Sequence, residues 1–199
     1  MRKIAAAIAF ALIVVSLAGC EGPGLPEEEA AAVVVELVRA SYELNVIYYG
    51  DGMMSVADID ENYIGFYADI LDDEPYLTEA ELREATLKVF TNNYSQSIFE
   101  MFLTGYSDED STEPVYARYI EAGDRLQKKR VYDQLIESER TYDLENITIT
   151  RSRARTIIAT LHSFVDGKPD VDVTVTVRLD ERKTDSGTEK VWRLDSPTY

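Results

Sequence analysis

The chain has 199 residues, and its 37 acidic and 20 basic side chains give a net charge of −17 at pH 7. Such acidity argues strongly against nucleic acid as a partner and against direct adhesion to anionic lipid head groups, because like charges repel. It favours a basic partner, unless the charge serves only to keep an exported protein soluble. The only cysteine is Cys20, so no disulfide can form within the chain.

The first residues have the three parts of a bacterial export signal. Two basic residues open the chain, an apolar stretch follows, and Leu17-Ala18-Gly19-Cys20 closes it. This tetrapeptide resembles the lipobox of bacterial lipoproteins. The resemblance implies a signal peptide over residues 1–19, acylation of Cys20 with chains such as palmitate, and a place on the extracytoplasmic face of the cell membrane. A membrane-spanning anchor is the alternative, but the uncharged stretch from residue 4 to residue 19 has 16 residues, fewer than the roughly 20 that cross a bilayer.

A lipidated tether is predicted over residues 20–29 and a single domain over residues 30–199. Glycine and proline make the tether flexible, and Pro26 followed by three glutamates is typical of a helix start. Apolar residues then recur at helical spacing as far as Tyr48, which predicts an amphipathic helix of about six turns. Gly50 is expected to end this helix in a left-handed cap.

The segment from residue 53 to residue 75 fits two structures. Ser55 and Asp58 have the spacing of a helix cap. Alternatively, the polar turn at residues 60–62 lies between two short apolar stretches, as in a hairpin. The hairpin is the structure that we expect.

Two further helices are predicted before the pattern changes. Thr78 and Glu81 have the spacing of a capping box, and Thr91 is a second N-cap whose helix runs to Gly105. Beyond Gly105 the apolar residues favour strands. The predicted strands span residues 116–120, 125–129, 147–150, 156–164, 171–179 and 191–194. Along residues 171–179, Val and Leu alternate with polar residues, so one face of the sheet is expected to meet water.

Helices followed by antiparallel strands predict an α+β domain whose N-terminal helices pack on a curved antiparallel sheet. Such an order, ending in Val191-Trp-Arg-Leu-Asp-Ser-Pro-Thr-Tyr199, resembles the cystatin-like, nuclear-transport-factor-like cone fold of small secreted bacterial domains. Within it, Leu77-Thr-Glu-Ala-Glu-Leu82 and Val89-Phe-Thr-Asn-Asn-Tyr94 are similar to exported lipoproteins and to the DL-endopeptidase inhibitor family of Gram-positive bacteria. The resemblance covers residues 60–199 and implies a non-catalytic protein that restrains cell-wall hydrolases. It assigns no inhibitory residue.

Few residues of the chain suit catalysis. His162 is the only histidine, and it lies in an apolar strand without an obvious nucleophile or base nearby. It is expected to be a strand residue rather than a general base. One histidine and one cysteine also exclude a zinc site built on several such ligands. We therefore expect a protein that is not an enzyme and needs no cofactor.

A calcium loop is suggested by Asp58, Asp60 and Asn62, with Asp69 at the twelfth position. However, Tyr63 stands where the sharp turn of such a loop needs glycine, and an aspartate replaces the bidentate glutamate. We therefore expect plain solvated residues here and no metal site.

Tyrosine is abundant, with 13 residues against six Phe and one Trp. Many of these tyrosines lie near helix ends and loop junctions, where they either line an interface or cap the core. The acidic loop from Ser107 to Glu113, flanked by two tyrosines, is the candidate recognition surface for a basic cell-wall protein. Its predicted partner-binding residues are Tyr106, Asp108, Glu109, Asp110, Glu113 and Tyr116.

The function predicted from these features is that of a membrane-anchored extracytoplasmic lipoprotein. It would bind or inhibit a cell-envelope protein such as a wall hydrolase, without catalysis. The alternative is a small-molecule receptor that holds its ligand inside the cone. A cone-fold enzyme would need a carboxylate or histidine with a perturbed pKa in a pocket, and the spacing reveals no such pair. Two basic runs, residues 125–130 and 151–155, are expected to be solvated sheet faces rather than anion sites.

Overall fold

The computed structural model describes residues 22–105, 116–131, 140–184 and 187–199. Within these ranges the chain has an α+β fold with antiparallel sheets, which confirms the predicted class. The helices are α1 (Glu27–Tyr49), α2 (Val56–Ile59), α3 (Glu79–Val89) and α4 (Asn92–Phe99), and a π-helix (Glu100–Thr104) continues α4. The strands are β1 (Tyr67–Asp69), β2 (Tyr119–Ala122), β3 (Arg125–Lys129), β4 (Arg140–Tyr142), β5 (Thr148–Arg153), β6 (Thr156–Leu161), β7 (Ser163–Val165), β8 (Lys168–Pro169), β9 (Val173–Thr184) and β10 (Gly187–Leu194).

Helix α1 begins as predicted but ends differently. Three glutamates occupy its first turn after Pro26, where carboxylates interact favourably with exposed backbone N–H groups. The left-handed cap expected at Gly50 is wrong, because Gly50 has a φ of −93°. The positive φ, +75°, belongs to Gly52. Carbonyl groups at the helix end instead accept hydrogen bonds from the side chains of Arg118 and Tyr119.

The hairpin expected between residues 53 and 75 is wrong, and the helical alternative is correct. Ser55 donates its backbone N–H to the Asp58 carboxylate at 2.7 Å and its hydroxyl to the same oxygen at 2.9 Å. This cap starts the short helix α2. The second strand expected for the hairpin is also wrong. Tyr67 lies in β1 instead, and β1 pairs antiparallel with β3.

Both caps predicted for the next two helices are confirmed. Thr78 Oγ1 accepts a hydrogen bond from the Glu81 N–H at 3.2 Å, and the Glu81 carboxylate accepts one from the Thr78 N–H at 3.0 Å. Thr91 Oγ1 accepts a hydrogen bond from the Tyr94 N–H at 3.2 Å and caps α4. The π-helix extends to Gly105, as predicted. The φ of Gly105 is +70°, and the helix ends there.

Three sheets contain the described strands, in the orders β10-β9-β6-β5, β1-β3-β2 and β4-β7-β8. The alternation predicted along β9 is confirmed, because Val175 and Val177 are buried while Thr174 and Arg178 are exposed. It does not reach Val171, which is exposed and precedes the strand.

Some predicted strand boundaries are wrong. The strand expected over residues 156–164 is split at His162 into β6 and β7, and the strand expected at residue 116 begins only at Tyr119. Strands β1, β4 and β8 were not predicted. Each has two or three residues, which is too short to show a period of two.

The core lies between α1 and the four-stranded sheet. Val34 and Val38 of α1 are fully buried, as are Ile157, Val175 and Val177 of the sheet. Where the structure describes it, this interior is filled by side chains.

The C-terminus packs against the second half of α1. The Tyr199 ring stacks on the Tyr49 ring with centroids 3.7 Å apart. Thr198 Oγ1 donates to Ser41 Oγ at 2.7 Å and accepts from Asn45 Nδ2 at 3.1 Å. These buried contacts join the end of the chain to the first helix.

Candidate functional site

Most of the predicted partner-binding surface lies outside the described residues, as does the predicted lipidation site. The residues concerned are Cys20, Tyr106, Asp108, Glu109, Asp110 and Glu113. Tyr116 is the member of the predicted surface that the structure describes. The candidate site is therefore built outward from Tyr116.

Tyr116 belongs to a group of exposed apolar side chains. Its ring is 50% exposed and meets the Phe66 ring edge-on, with centroids 5.2 Å apart. Phe66 is 52% exposed, and Ile64, two residues before it, is 95% exposed. We call the contacting rings of Phe66 and Tyr116 the aromatic patch. Lys129 Nζ lies 5.3 Å from the centroids of both rings, within the range of a cation–π interaction.

Hydrogen bonds hold the backbone next to the two rings of the aromatic patch. The Tyr67 hydroxyl donates to the Ala117 carbonyl at 2.7 Å, which ties β1 to the residue after Tyr116. The Arg130 N–H donates to the Phe66 carbonyl at 2.9 Å, at the end of the β1–β3 pairing. The rings are therefore exposed side chains on an ordered backbone, an arrangement typical of recognition surfaces.

A cleft of about 350 Å³ adjoins the aromatic patch at the C-terminal end of α1. Of the described residues that line it, four are cations and two are carboxylates, an excess of two positive charges in a chain of net charge −17. We call it the basic cleft. Its lining residues are Asp51, Gly52, Met54, Asp58, Arg118, Lys128, Lys129 and Arg130.

Arg118 is 2% exposed and holds the end of α1. Its Nη1 donates to the Tyr48 carbonyl at 2.8 Å and its Nη2 to the Gly50 carbonyl at 2.6 Å. A cation is favourable at a helix C-terminus, where carbonyl groups lack intrahelical donors. Tyr119 assists, since its hydroxyl donates to the Ile47 carbonyl at 3.0 Å. Burial raises the pKa of Tyr119 to about 12, so the hydroxyl remains a donor at neutral pH.

The other cations of the basic cleft differ in their surroundings. Lys128 is 7% exposed, and its Nζ lies 2.7 Å from Asp58 Oδ2. Arg130 is exposed, and its guanidinium forms no ion pair with any residue that the structure describes. The cleft thus combines buried, fixed cations with one exposed cation that is open to a ligand.

Asp58 connects the cap of α2 to the basic cleft. Burial alone would raise the pKa of its carboxyl, but hydrogen bonds from Lys128 and Ser55 outweigh it and lower the pKa below the ordinary 3.8. The ionised carboxylate therefore stabilises both the helix cap and the position of Lys128.

We expect Asp58→Asn to remove stability that is present at neutral pH and absent in strong acid. A carboxyl with a depressed folded-state pKa stabilises the fold above its unfolded pKa, and the contribution is lost as the pH falls through the folded pKa. Melting temperatures of wild type and variant should therefore differ most near pH 7 and converge below about pH 4. Asp73→Asn, at an exposed carboxylate, is the control and should change little at any pH. A difference for Asp58→Asn that stays constant with pH would contradict this expectation.

Sequence reasoning missed the basic cleft, because the run from residue 125 to residue 130 was expected to be a solvated face. That expectation is wrong for Lys128, which is buried. A signal was present: Leu126 and Lys128 are two residues apart in one strand and so share a face. The other basic run is as expected, since Arg151, Arg153 and Arg155 are exposed.

The residues considered for a calcium loop do not converge. Asp58, in α2, binds Lys128, whereas Asp69, in β1, accepts a hydrogen bond from Gln127. In the described part of the chain, no three His, Cys, Asp or Glu side chains are grouped closely enough to hold a metal ion. The expectation that His162 lies within a strand with no base nearby is wrong, because His162 is exposed between β6 and β7 and its Nδ1 lies 2.6 Å from Asp172 Oδ1.

A second cleft, of about 480 Å³, lies where the start of α4 meets β9 and β10. Among the described residues that line it, two cations, Arg155 and Arg178, are balanced by two carboxylates, Asp180 and Asp195. Arg178 binds Asp195, and Asp180 accepts a hydrogen bond from Arg193 Nη1 at 2.9 Å. It therefore lacks the excess of one sign that distinguishes the basic cleft.

No protein-family model matches the chain, and neither does any curated protein or solved structure. None of the helices in the described ranges has both the length and the apolar character needed to cross a bilayer. Function must therefore be inferred from the residues and their arrangement.

Proposed function

We propose that the chain is a lipid-anchored, extracytoplasmic binding module that acts without catalysis on a cell-envelope protein such as a wall hydrolase, as an inhibitor or a docking partner. The observation that carries the proposal is the aromatic patch, in which the Phe66 and Tyr116 rings meet, each about half exposed, beside a charged cleft. Adjoining exposed apolar groups with a polar rim are a feature of protein interaction sites.

The finer fold assignment is part of the same proposal. In a cystatin-like cone, helices pack on one face of a curved antiparallel sheet. The packing of α1 against β5, β6 and β10 supports this arrangement. The resemblance to DL-endopeptidase inhibitors remains a prediction of the sequence. The receptor alternative stays a prediction of the sequence; the described residues beneath α1 form one cluster of buried side chains.

The described start of the chain bears on how the module is presented. Residues 22–26, expected to be a free tether, lie along β5: Pro23 bridges to Arg153, and Ser152 Oγ donates to the Leu25 carbonyl at 2.8 Å. Helix α1 has 23 residues and is about 34 Å long at 1.5 Å per residue. A lipid on Cys20 would hold the N-terminal end of α1 near the membrane and leave the aromatic patch at the far end.

The lipid anchor is tested by Cys20→Ser. We expect the variant to lose labelling with radioactive palmitate and to leave the membrane fraction, because no thiol remains to accept the lipid. Ser16→Ala, in the same leader, is the matched control and should keep the label. A labelled Cys20→Ser protein would contradict the anchor.

The binding surface is tested by photo-crosslinking in living cells. Benzoylphenylalanine at position 116 should yield an adduct with a specific envelope protein, because this exposed ring would lie in the interface. The same amino acid at Val171, which is exposed and precedes β9, is the control. Identical adducts at both positions, or none at position 116, would count against the surface.

A further inference from the structure

The aromatic patch and the basic cleft adjoin, and together they suit one kind of occupant. We infer that they bind an acidic segment of a partner protein in which carboxylates alternate with apolar side chains. This inference rests on the proposed function, because it names the chemistry of the partner. It also reverses the sign expected from composition, since the overall acidity of the chain favours a basic partner.

Local charge decides which segment can dock. Its described lining has two more cations than carboxylates, although the chain as a whole carries −17. At physiological ionic strength the screening length is about 8 Å, much shorter than α1. Acidic residues farther than this from the cleft are therefore largely screened once a partner is in contact, so the charges that line the cleft have the larger effect.

The cations are arranged for binding before a partner arrives. Arg118 and Lys128 are buried and held by the end of α1 and by Asp58, so no conformational freedom is lost in ordering them. They give the cleft a fixed positive potential. Arg130, exposed at the mouth, offers the planar donors that pair with a carboxylate in two parallel hydrogen bonds.

Exposed apolar groups adjoin these cations. Met54 lines the cleft and is exposed. The Phe66 and Tyr116 rings lie beyond Lys129, whose ammonium group faces both. A segment with carboxylates alone would leave this apolar surface in water, whereas one that also carries apolar side chains would cover it.

An anionic bilayer is the other occupant with matching chemistry, and the geometry disfavours it. The proposed lipid precedes Gly22, where the chain lies beside β5 at the start of α1. The basic cleft lies at the other end of that helix, beside Gly50 and Gly52. An anchored domain would therefore present the cleft away from its own membrane.

To test the inference, peptides that bind the full chain in zwitterionic detergent micelles are selected from a displayed library of random dodecapeptides. The expected selection is enriched in Asp and Glu together with Leu, Phe and Trp. The affinity for a selected peptide should fall about tenfold in Arg130→Glu, because an attractive charge becomes a repulsive one. Lys88→Glu, at an exposed cation on α3, is the matched control and should bind as the wild type does.

Three results would overturn the inference: peptides rich in Lys and Arg, no enrichment, or the same affinity in Arg130→Glu as in Lys88→Glu. Binding to vesicles of equal parts phosphatidylcholine and phosphatidylglycerol that Arg130→Glu abolishes would also overturn it, since the occupant would then be a lipid surface. Crosslinking at position 116 reports on a partner of any charge. If position 116 gives an adduct but the selection yields no acidic peptides, the proposed function is supported and this inference is wrong.

Discussion

Replacing Arg118 with methionine is expected to lower the free energy of unfolding by about 3 kcal/mol. The guanidinium donates to the Tyr48 and Gly50 carbonyls, and the side chain is so deeply buried that water cannot take its place. A hydrogen bond from a charged donor contributes about 1.5–3 kcal/mol, and a buried carbonyl without a donor adds a desolvation cost. Methionine retains much of the side-chain volume, so the loss reports mainly on the hydrogen bonds. Urea denaturation followed by circular dichroism measures it.

The matched control is Arg155→Met. Arg155 is more than half exposed, and its Nη1 lies 3.3 Å from Glu181 Oε1. Exposed ion pairs of this kind contribute between about 0 and 1 kcal/mol, so the control should unfold close to the wild-type midpoint. Equal losses for the two variants would mean that the end of α1 does not depend on Arg118.

Local sequence signals account well for the helices. The glutamates after Pro26, the capping box of Thr78 and Glu81, and the N-cap Thr91 each act within a few residues, and each is found where the sequence predicts it. The segment after residue 53 was assigned wrongly because two local signals compete there. The cap at Ser55 satisfies a backbone donor within three residues. A hairpin would have required the segments on either side of the polar turn to pair with each other, but β1 pairs with β3 instead.

The candidate site is less accessible to sequence reasoning because its contacts are distant along the chain. Arg118 and Tyr48 are 70 residues apart, and no periodic pattern marks a residue that caps a helix from so far away. Lys128 could have been found, since alternation in β3 places it on the same face as the buried Leu126. The pairing of the Phe66 and Tyr116 rings depends on how β1 and β2 flank β3, which no local signal determines.

The ordered start of the chain changes how the anchor and the surface are related. A flexible tether would let the domain take any orientation, so the position of the basic cleft would carry no information. Packing of residues 22–26 along β5 instead fixes the exit point of the chain relative to α1. If Cys20 carries lipid, the fold itself sets which end of the module faces outward.

Phe102→Ala is expected to destabilise the fold by about 4 kcal/mol, through lost burial and the cavity left behind. Phe102 is fully buried, and its ring packs against Tyr48 and Tyr49 with centroids 5.2 and 4.9 Å away. Phe66→Ala removes the same group from the aromatic patch, and a half-exposed site of this kind should cost less than about 1 kcal/mol. Chemical denaturation of both variants gives the comparison.

The pair of phenylalanine variants also separates folding from recognition. Phe66→Ala should keep its unfolding midpoint and lose the adduct at position 116, because the patch would lack one of its two rings. If Phe66→Ala instead destabilised the fold as much as Phe102→Ala does, the exposed ring would be part of the core in solution. The aromatic patch would then be a structural feature, and the surface assigned to partner binding would have to lie elsewhere on the molecule.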